Sequence, residues 1–180
     1  MEQEIIRRIQ EGDEEAFAEL YKLYGEYALR VATAVTKSPM NAADAVQETF
    51  IRVYHHIQSF DLSRDFKPWF YRILLNECNR LMKKQSKTVA INDYMENNPR
   101  MARVDEHPFE RYEELYKAIE KLKDINRIPI VLKYLNGFTE MEIADILNLN
   151  VNTVKSRLFK GRQKLKKFIE RMEERGVGHG

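Results

Sequence analysis

The sequence predicts an all-α protein in which two small helical domains are joined by an irregular linker. Three observations carry that prediction. Apolar residues recur at helical spacing along most of the chain, with no convincing alternating strand. The breaks between periodic segments hold capping and turn residues. Between Gln85 and His107 the period lapses altogether. A chain of 180 residues accommodates one ordinary domain or two small ones, and 43% hydrophobic residues with only 7 Gly and 5 Pro indicate a globular chain.

The periodic segments run over 2–10, 13–36, 41–58, 67–84, 109–122, 126–135, 139–147 and 150–172. Gly12-Asp13 separates the first two, and Ser38-Pro39 with Asn41 separates the second from the third. The stretch Asp61 to Asp65 ends the third, Pro68 falls in the first turn of the fourth, and Asn136-Gly137 closes the sixth. In the third segment Ala42, Val46, Phe50, Val53 and Ile57 share one face. Its opposite face holds Asp44, Gln47, Glu48 and His55 around Ile51. An apolar centre with a polar rim suits a protein contact, but one exposed apolar residue is also common without any role. The residues alone leave both readings open.

In the fourth segment Phe70, Leu74, Cys78, Leu81 and Met82 form the buried stripe, opposite Trp69, Arg72, Asn76, Asn79, Arg80 and Lys83. Aromatic, amide and cationic groups together suit single-stranded nucleic acid, where rings stack on unpaired bases and cations follow the backbone. The competing reading is that Trp69 caps the core at the helix entrance. The aperiodic stretch carries four acids against three Lys/Arg and includes Asn97-Asn98-Pro99, and loops of that length inside a compact domain are uncommon. The expected organisation is therefore a domain over 1–84, a linker over 85–108, a second domain over 109–175 and a tail over 176–180.

The chemistry of enzymes has no foothold. A single cysteine, Cys78, excludes an internal disulfide and any multi-thiolate metal site. His55, His56, His107 and His179 show no ligand spacing, and phosphate-loop, dinucleotide, nucleophile-elbow and zinc-protease motifs are missing. No metal, cofactor or catalytic residue is expected. No apolar run approaches the ~18 residues of a membrane span, and the acidic start is unlike a signal peptide, so a cytoplasmic protein is expected. The net charge of +2 is bland, but residues 1–20 carry seven acids whereas Asn150 to Arg171 carry eight Lys/Arg and one Glu. That asymmetry points to a nucleic-acid face at one end.

The C-terminal segment specifies such a face. Thr139-x-x-Glu142 is a capping box that opens a short helix with Ile143, Ala144 and Leu147 on one side. Asn148 can end it in the left-handed conformation and Asn150 can cap the next helix. Two helices with a three-residue turn make a helix-turn-helix. Val151, Val154, Leu158, Leu165 and Ile169 face one way, and polar residues face the other. Asn152, Thr153, Ser156, Phe159 and Lys160 are candidates to meet base edges in a major groove, with Lys155, Arg157, Arg162 and Lys164 toward phosphates. A solvated basic surface helix is the competing reading.

Taken in order, "AADAVQETFIRVY", "WFYRILLNE" and "GFTEMEIADILNLNVNTVKSRLFKGRQKL" resemble regions 2 and 4 of bacterial extracytoplasmic-function sigma factors. The resemblance implies a promoter-specificity subunit that binds core RNA polymerase, recognises minus thirty-five and minus-ten elements, and melts DNA. Asp44, Gln47, Glu48 and Ile51 fall where the family docks on the clamp helices of the largest subunit. Trp69, Asn76 and the loop from Ser59 to Lys67, with Phe60 and Arg64, fall where it opens the minus-ten element, a face that continues through Arg72, Asn79, Arg80 and Lys83. Lys155, Ser156, Phe159 and Lys160 fall where it reads the minus thirty-five element. The linker would run toward the active-site cleft, the second domain would meet the β flap, and an anti-sigma factor is an expected partner. Phe70 replaces the usual leucine, Arg80 stands where an acid is common, and Pro129 fits only if its helix starts near Asn126. With no sizeable C-terminal extension, an appended regulatory domain is not expected. Two other functions compete: a stand-alone helix-turn-helix regulator, and a helical adaptor without a nucleic-acid role.

Overall fold

The computed structural model describes residues 2–92 and 113–176. The first unit is built from α1 (Glu2–Gln10), α2 (Glu14–Thr36), α3 (Pro39–His56), a 3₁₀ turn (Ile57–Ser59) and α4 (Phe66–Asn92). The second is built from α5 (Glu113–Glu120), α6 (Asp124–Asn136), α7 (Glu140–Leu147) and α8 (Val151–Gly176). Most of 85–108, the segment read as a linker, and the end of the tail lie outside the described residues. Part of the linker does not: α4 continues through Asn92 although the apolar period fades after Lys84. A helix once started gains one backbone bond per residue and needs no apolar stripe to continue.

Caps set the boundaries. The Asp13 carboxylate accepts the N–H groups of Glu15 and Ala16 at the start of α2 (2.9 and 3.2 Å), and burying Leu20, Ala28, Val31 and Val35 holds that helix in the core. Lys37, at φ 57°, ends α2, and Ser38 caps α3 directly before Pro39. The third helix thus starts at Pro39 rather than at Asn41, because proline suits a first-turn position whose N–H has no partner anyway. The first unit's centre is aromatic. Tyr24 and Phe50 pack on Phe70 with ring centroids 4.8 and 5.3 Å apart, and Cys78 lies fully buried beneath. Burial, with a smaller push from the Glu77 charge, raises the Cys78 thiol to about 12.

In the second unit α6 crosses α8 at Gly161, where a Cβ would stand 2.7 Å from Ile130 Cγ1. Only a residue without a side chain permits that approach. Pro129 corrects the expectation placed on it. Its helix starts at Asp124, so the proline is interior and buried, and it deletes the bond to the Ile125 carbonyl. The side chain of Ile125 is exposed, on the helix side that water can reach.

The two units touch through α2 with α6 and α4 with α7. Arg127 of α6 is 1% exposed and reaches into the C-terminal turn of α2. It donates to the Val35 carbonyl (2.6 Å) and to the Leu122 carbonyl (3.0 Å), and pairs with Asp124 at 2.9 Å. A helix C-terminus carries partial negative charge, which suits a buried cation. Tyr71 meets Phe138 edge-on at 5.1 Å. Lys67 donates to the Asn136 carbonyl at 2.9 Å and lies 4.6 Å from the Phe138 ring centre.

A candidate nucleic-acid interface and a candidate docking groove

The helix-turn-helix forms as the sequence specifies. Thr139 and Glu142 complete a reciprocal capping box at α7, Asn148 ends it at φ 51°, and Asn150 Oδ1 accepts the Asn152 N–H at 2.8 Å to start α8. Val154, Leu158 and Gly161 are buried, whereas Asn152, Lys155, Ser156, Lys160 and Lys164 are exposed. Thr153 and Arg157 are half-buried at the margins. Phe159 is 55% exposed, an apolar ring with no intramolecular reason to face water. Arg162 is exposed, and its Nη1 donates to the Tyr134 hydroxyl at 3.2 Å. That bond holds a long cation at the edge of the face.

The minus-ten candidates divide. Asn76, Asn79, Arg80 and Lys83 form an exposed row along α4. Phe60, expected among the minus-ten contacts of the loop, is not open to a ligand. It is 8% exposed and packs on Phe66 and Trp69 with centroids 5.5 and 5.0 Å away. An apolar ring flanked by two others gains more from burial than from solvent, so Phe60 supports Trp69 from beneath. Trp69 itself is half-buried and packs on Phe66 at 5.4 Å, so capping of the core and availability of an outer edge both hold. Gln10 fixes the start of this loop by donating to the Ile57 and Phe60 carbonyls at 2.7 and 2.9 Å.

Further along the loop, the Ser63 hydroxyl and N–H hold the Asp61 carboxyl below its usual range. Arg64 extends into solvent 3.6 Å from Asp61. Arg72 is exposed but engaged, with Nη2 on the Asp145 carbonyl (2.6 Å) and carboxylate (2.9 Å) at the end of α7. This face and the first helix of the helix-turn-helix therefore border one cleft, lined by Trp69, Arg72, Met141 and Asp145 among others.

Around α3 the expected face is more than one isoleucine. Asp44, Gln47 and Ile51 are exposed, and Glu48 is half-buried with Oε2 lacking a hydrogen-bond partner among the described residues. Ile51 lies in a groove between α2 and α3 together with Phe17, Tyr21, Leu29 and Tyr54. Tyr21, Leu29, Ile51 and Tyr54 are 54%, 43%, 43% and 55% exposed in turn. The signal for the missed residues is present in α2, where Phe17, Tyr21 and Leu29 repeat at helical spacing beside the buried stripe of Leu20, Tyr24, Ala28 and Val31. Sequence reading also passed over Glu77, 3% exposed. Arg80, an apparent departure from the resembled pattern, finds its acid there, with Nε donating to Glu77 Oε2 at 2.6 Å.

Comparison with known proteins follows the same order along the chain. Residues 20–88 match the family model for Sigma-70 region 2, and residues 112–165 match that for Sigma-70 region 4. The chain is similar to the ECF RNA polymerase sigma factor SigW of Bacillus subtilis, 33% identical over 91% of this chain and 94% of that protein. It is also similar to SigM of the same organism, 33% identical over 85% of this chain and 94% of that protein. The fold is shared with the sigma factor RpoE of Bartonella quintana, solved with the anti-sigma factor NepR, at a TM-score of 0.75 and 23% identity over 86% of this chain and 96% of that one.

Proposed function

The chain belongs to the ECF RNA polymerase sigma factors, and we propose that its exposed surfaces divide such a factor's work into polymerase docking, minus-ten opening and minus thirty-five reading. It is a promoter-specificity subunit that binds core RNA polymerase and promoter DNA, not a stand-alone regulator. Its chemistry is recognition; the polymerase supplies the catalysis. The observation that carries the division is the separation of a two-helix apolar groove from two nucleic-acid faces, in the order of the two matched regions.

The groove around Ile51 docks on the clamp helices of the largest subunit, with Asp44, Gln47 and Glu48 as its polar rim. Replacing Ile51 with glutamate is expected to weaken core binding by on the order of tenfold or more, since an unpaired charge would be carried into an apolar contact. Fluorescence titration of labelled chain with core enzyme reads this, with circular dichroism to show unchanged helix content. Unaltered affinity removes the groove from the docking site.

Trp69, over Phe60, with Arg64, Arg72, Asn76, Asn79, Arg80 and Lys83, receives the opened minus-ten strand. Asn152, Thr153, Ser156, Phe159 and Lys160 read the minus thirty-five element, while Lys155, Arg157, Arg162 and Lys164 take its phosphates. The second domain also meets the β flap. The domains extend over 1–84 and 109–175, and the factor works in the cytoplasm with its polymerase; among the described residues no helix is long and apolar enough to cross a membrane. An anti-sigma factor is its regulatory partner, a reading supported by the complex in which the RpoE relative was solved.

The two kinds of polar residue on α8 should fail differently. Ser156→Ala and Lys160→Ala are expected to relax choice at single minus thirty-five positions, each costing ~1–3 kcal/mol there. Arg162→Ala, which loses a cation held at the edge of the face, is expected to lower output across promoters without changing preference. Transcription by reconstituted holoenzyme from a randomised minus thirty-five library, at two salt concentrations, separates them. Identical profiles for Ser156→Ala, Lys160→Ala and wild type refute the reader assignment, and no selective transcription at all with core enzyme refutes the larger reading.

A further inference from the structure

Glu77 is a carboxylate 3% exposed on the helix whose outer row is otherwise amide and cation. Two arginines converge on it. Arg80, one turn along α4, donates through Nε to Oε2 at 2.6 Å, and Arg52 of α3 sets its Nε 2.6 Å from Oε1. Both arginine side chains remain 47% exposed.

Two cations side by side repel each other, and here a single carboxylate between them offsets that repulsion. Each guanidinium approaches Glu77 through its inner nitrogen while about half of the side chain stays open to solvent, an arrangement that suits an outer fork turned toward a ligand. A guanidinium fork matches the oxygens of a phosphodiester, and two forks fixed at one point suit a single backbone phosphate better than two freely moving side chains. Preorganisation removes the rotamer entropy that a long arginine otherwise loses on binding. Glu48, one helical turn before Arg52 on α3, contributes negative charge at Arg80, and its Oε2 has no hydrogen-bond partner among the described residues. Arg52 thus sits on the helix that carries Ile51 of the docking groove, and Arg80 in the row with Asn76, Asn79 and Lys83.

We propose that Glu77 is a positioning residue that holds Arg52 and Arg80 as a paired clamp for one phosphate of the promoter strand, making Arg52 a DNA contact. This inference rests on the assignment of the α4 row to the minus-ten element. Glu77 touches no DNA; it acts through the two arginines.

The test uses holoenzyme reconstituted from the full chain and core polymerase. The probe is a fork-junction DNA, duplex upstream and single-stranded across the minus-ten element, taken from a sequence selected by the wild-type holoenzyme. Arg52→Ala is expected to weaken binding about tenfold and to lower the slope of log affinity against log salt by roughly 0.7–0.9. Glu77→Gln removes a negative charge beside DNA, so a simple field effect would tighten binding, whereas loss of positioning weakens it. In an Arg52→Ala, Arg80→Ala background Glu77→Gln should add nothing.

Equal or tighter binding by Glu77→Gln overturns the proposal, as does an unchanged salt slope for Arg52→Ala or a loss of core affinity that moves Arg52 to the docking face. If Glu77→Gln unfolds the chain, Arg52→Lys decides: it keeps the charge without the fork, so wild-type affinity would overturn the clamp. Asn76→Ala separates the two levels. Weakening by Asn76→Ala alone sinks the clamp and spares the minus-ten assignment, whereas failure of Asn76→Ala and Arg80→Ala to weaken binding sinks the assignment itself.

Discussion

Arg127→Ala is expected to cost the free chain roughly 2–4 kcal/mol of stability, the order expected when buried carbonyls lose their donor and a buried side chain leaves a void, with Asp124 itself remaining solvated. The deletion leaves the Val35 and Leu122 carbonyls without their donor and opens a void where a fully buried side chain stood. Burial lowers the arginine's pKa and Asp124 counters this only in part, and Nε has no partner among the described residues, so the site holds a charge that is expensive to desolvate. Urea unfolding of the variant, with hydrogen exchange at the end of α2, measures the loss. A cost under about 1 kcal/mol would mean that the bonds to α2 only offset desolvation.

The same variant bears on function, because Arg127 joins the two units. The elements named minus ten and minus thirty-five are about 25 base pairs apart, roughly 85 Å at ~3.4 Å per step, yet α4 and α7 touch. If the α4 row takes the minus-ten element and α8 the minus thirty-five element, as proposed, the units separate before both are engaged. Weakening the contact in the free chain should then favour holoenzyme assembly by whatever part of the cost falls on the closed arrangement.

Trp69→Ala carries the second large effect. Stacking of a base on an aromatic ring is worth ~1–3 kcal/mol, so promoter opening should fall by roughly five- to 150-fold while closed-complex formation changes little. Permanganate footprinting of the minus-ten region reads opening, and the deficit should vanish on a template already mismatched there. Because Trp69 also packs on Phe60 and Phe66, the thermal midpoint of the variant belongs beside the footprint. Equal failure on premelted DNA makes the tryptophan a core cap and removes it from the minus-ten face.

Periodicity and caps were legible from the sequence wherever the cause was local. The capping box at Thr139, the left-handed Asn148 and the buried stripe of Phe70, Leu74 and Cys78 follow from neighbours within a few residues. What escaped depends on distant partners. Glu77 and Arg52 are unremarkable on their own helices and become a unit only when α3 lies on α4. Nothing near Arg127 in sequence shows that α2 ends against it, and nothing near Gly161 shows that Ile130 fills the space beside it. Phe60 falls among the expected minus-ten contacts of its loop, and a loop's sequence does not reveal which ring folds under. Pro129 was placed in a first turn because a proline argues for a helix start nearby, yet Asp124 and the 2.9 Å bonds from Asn126 and Arg127 to the Lys123 carbonyl set the start earlier.

Cys78 gives the protein an internal clock. Its thiolate is scarce near neutral pH because burial raises the pKa, and the thiolate is the reactive form. Alkylating reagents should therefore pass over the native fold and trap Cys78 only when the first unit opens. A cysteine introduced on an exposed helix face would react at once beside it. Mass spectrometry of a single sample can then time surface labelling and core opening on the same molecule, with no native thiol to remove.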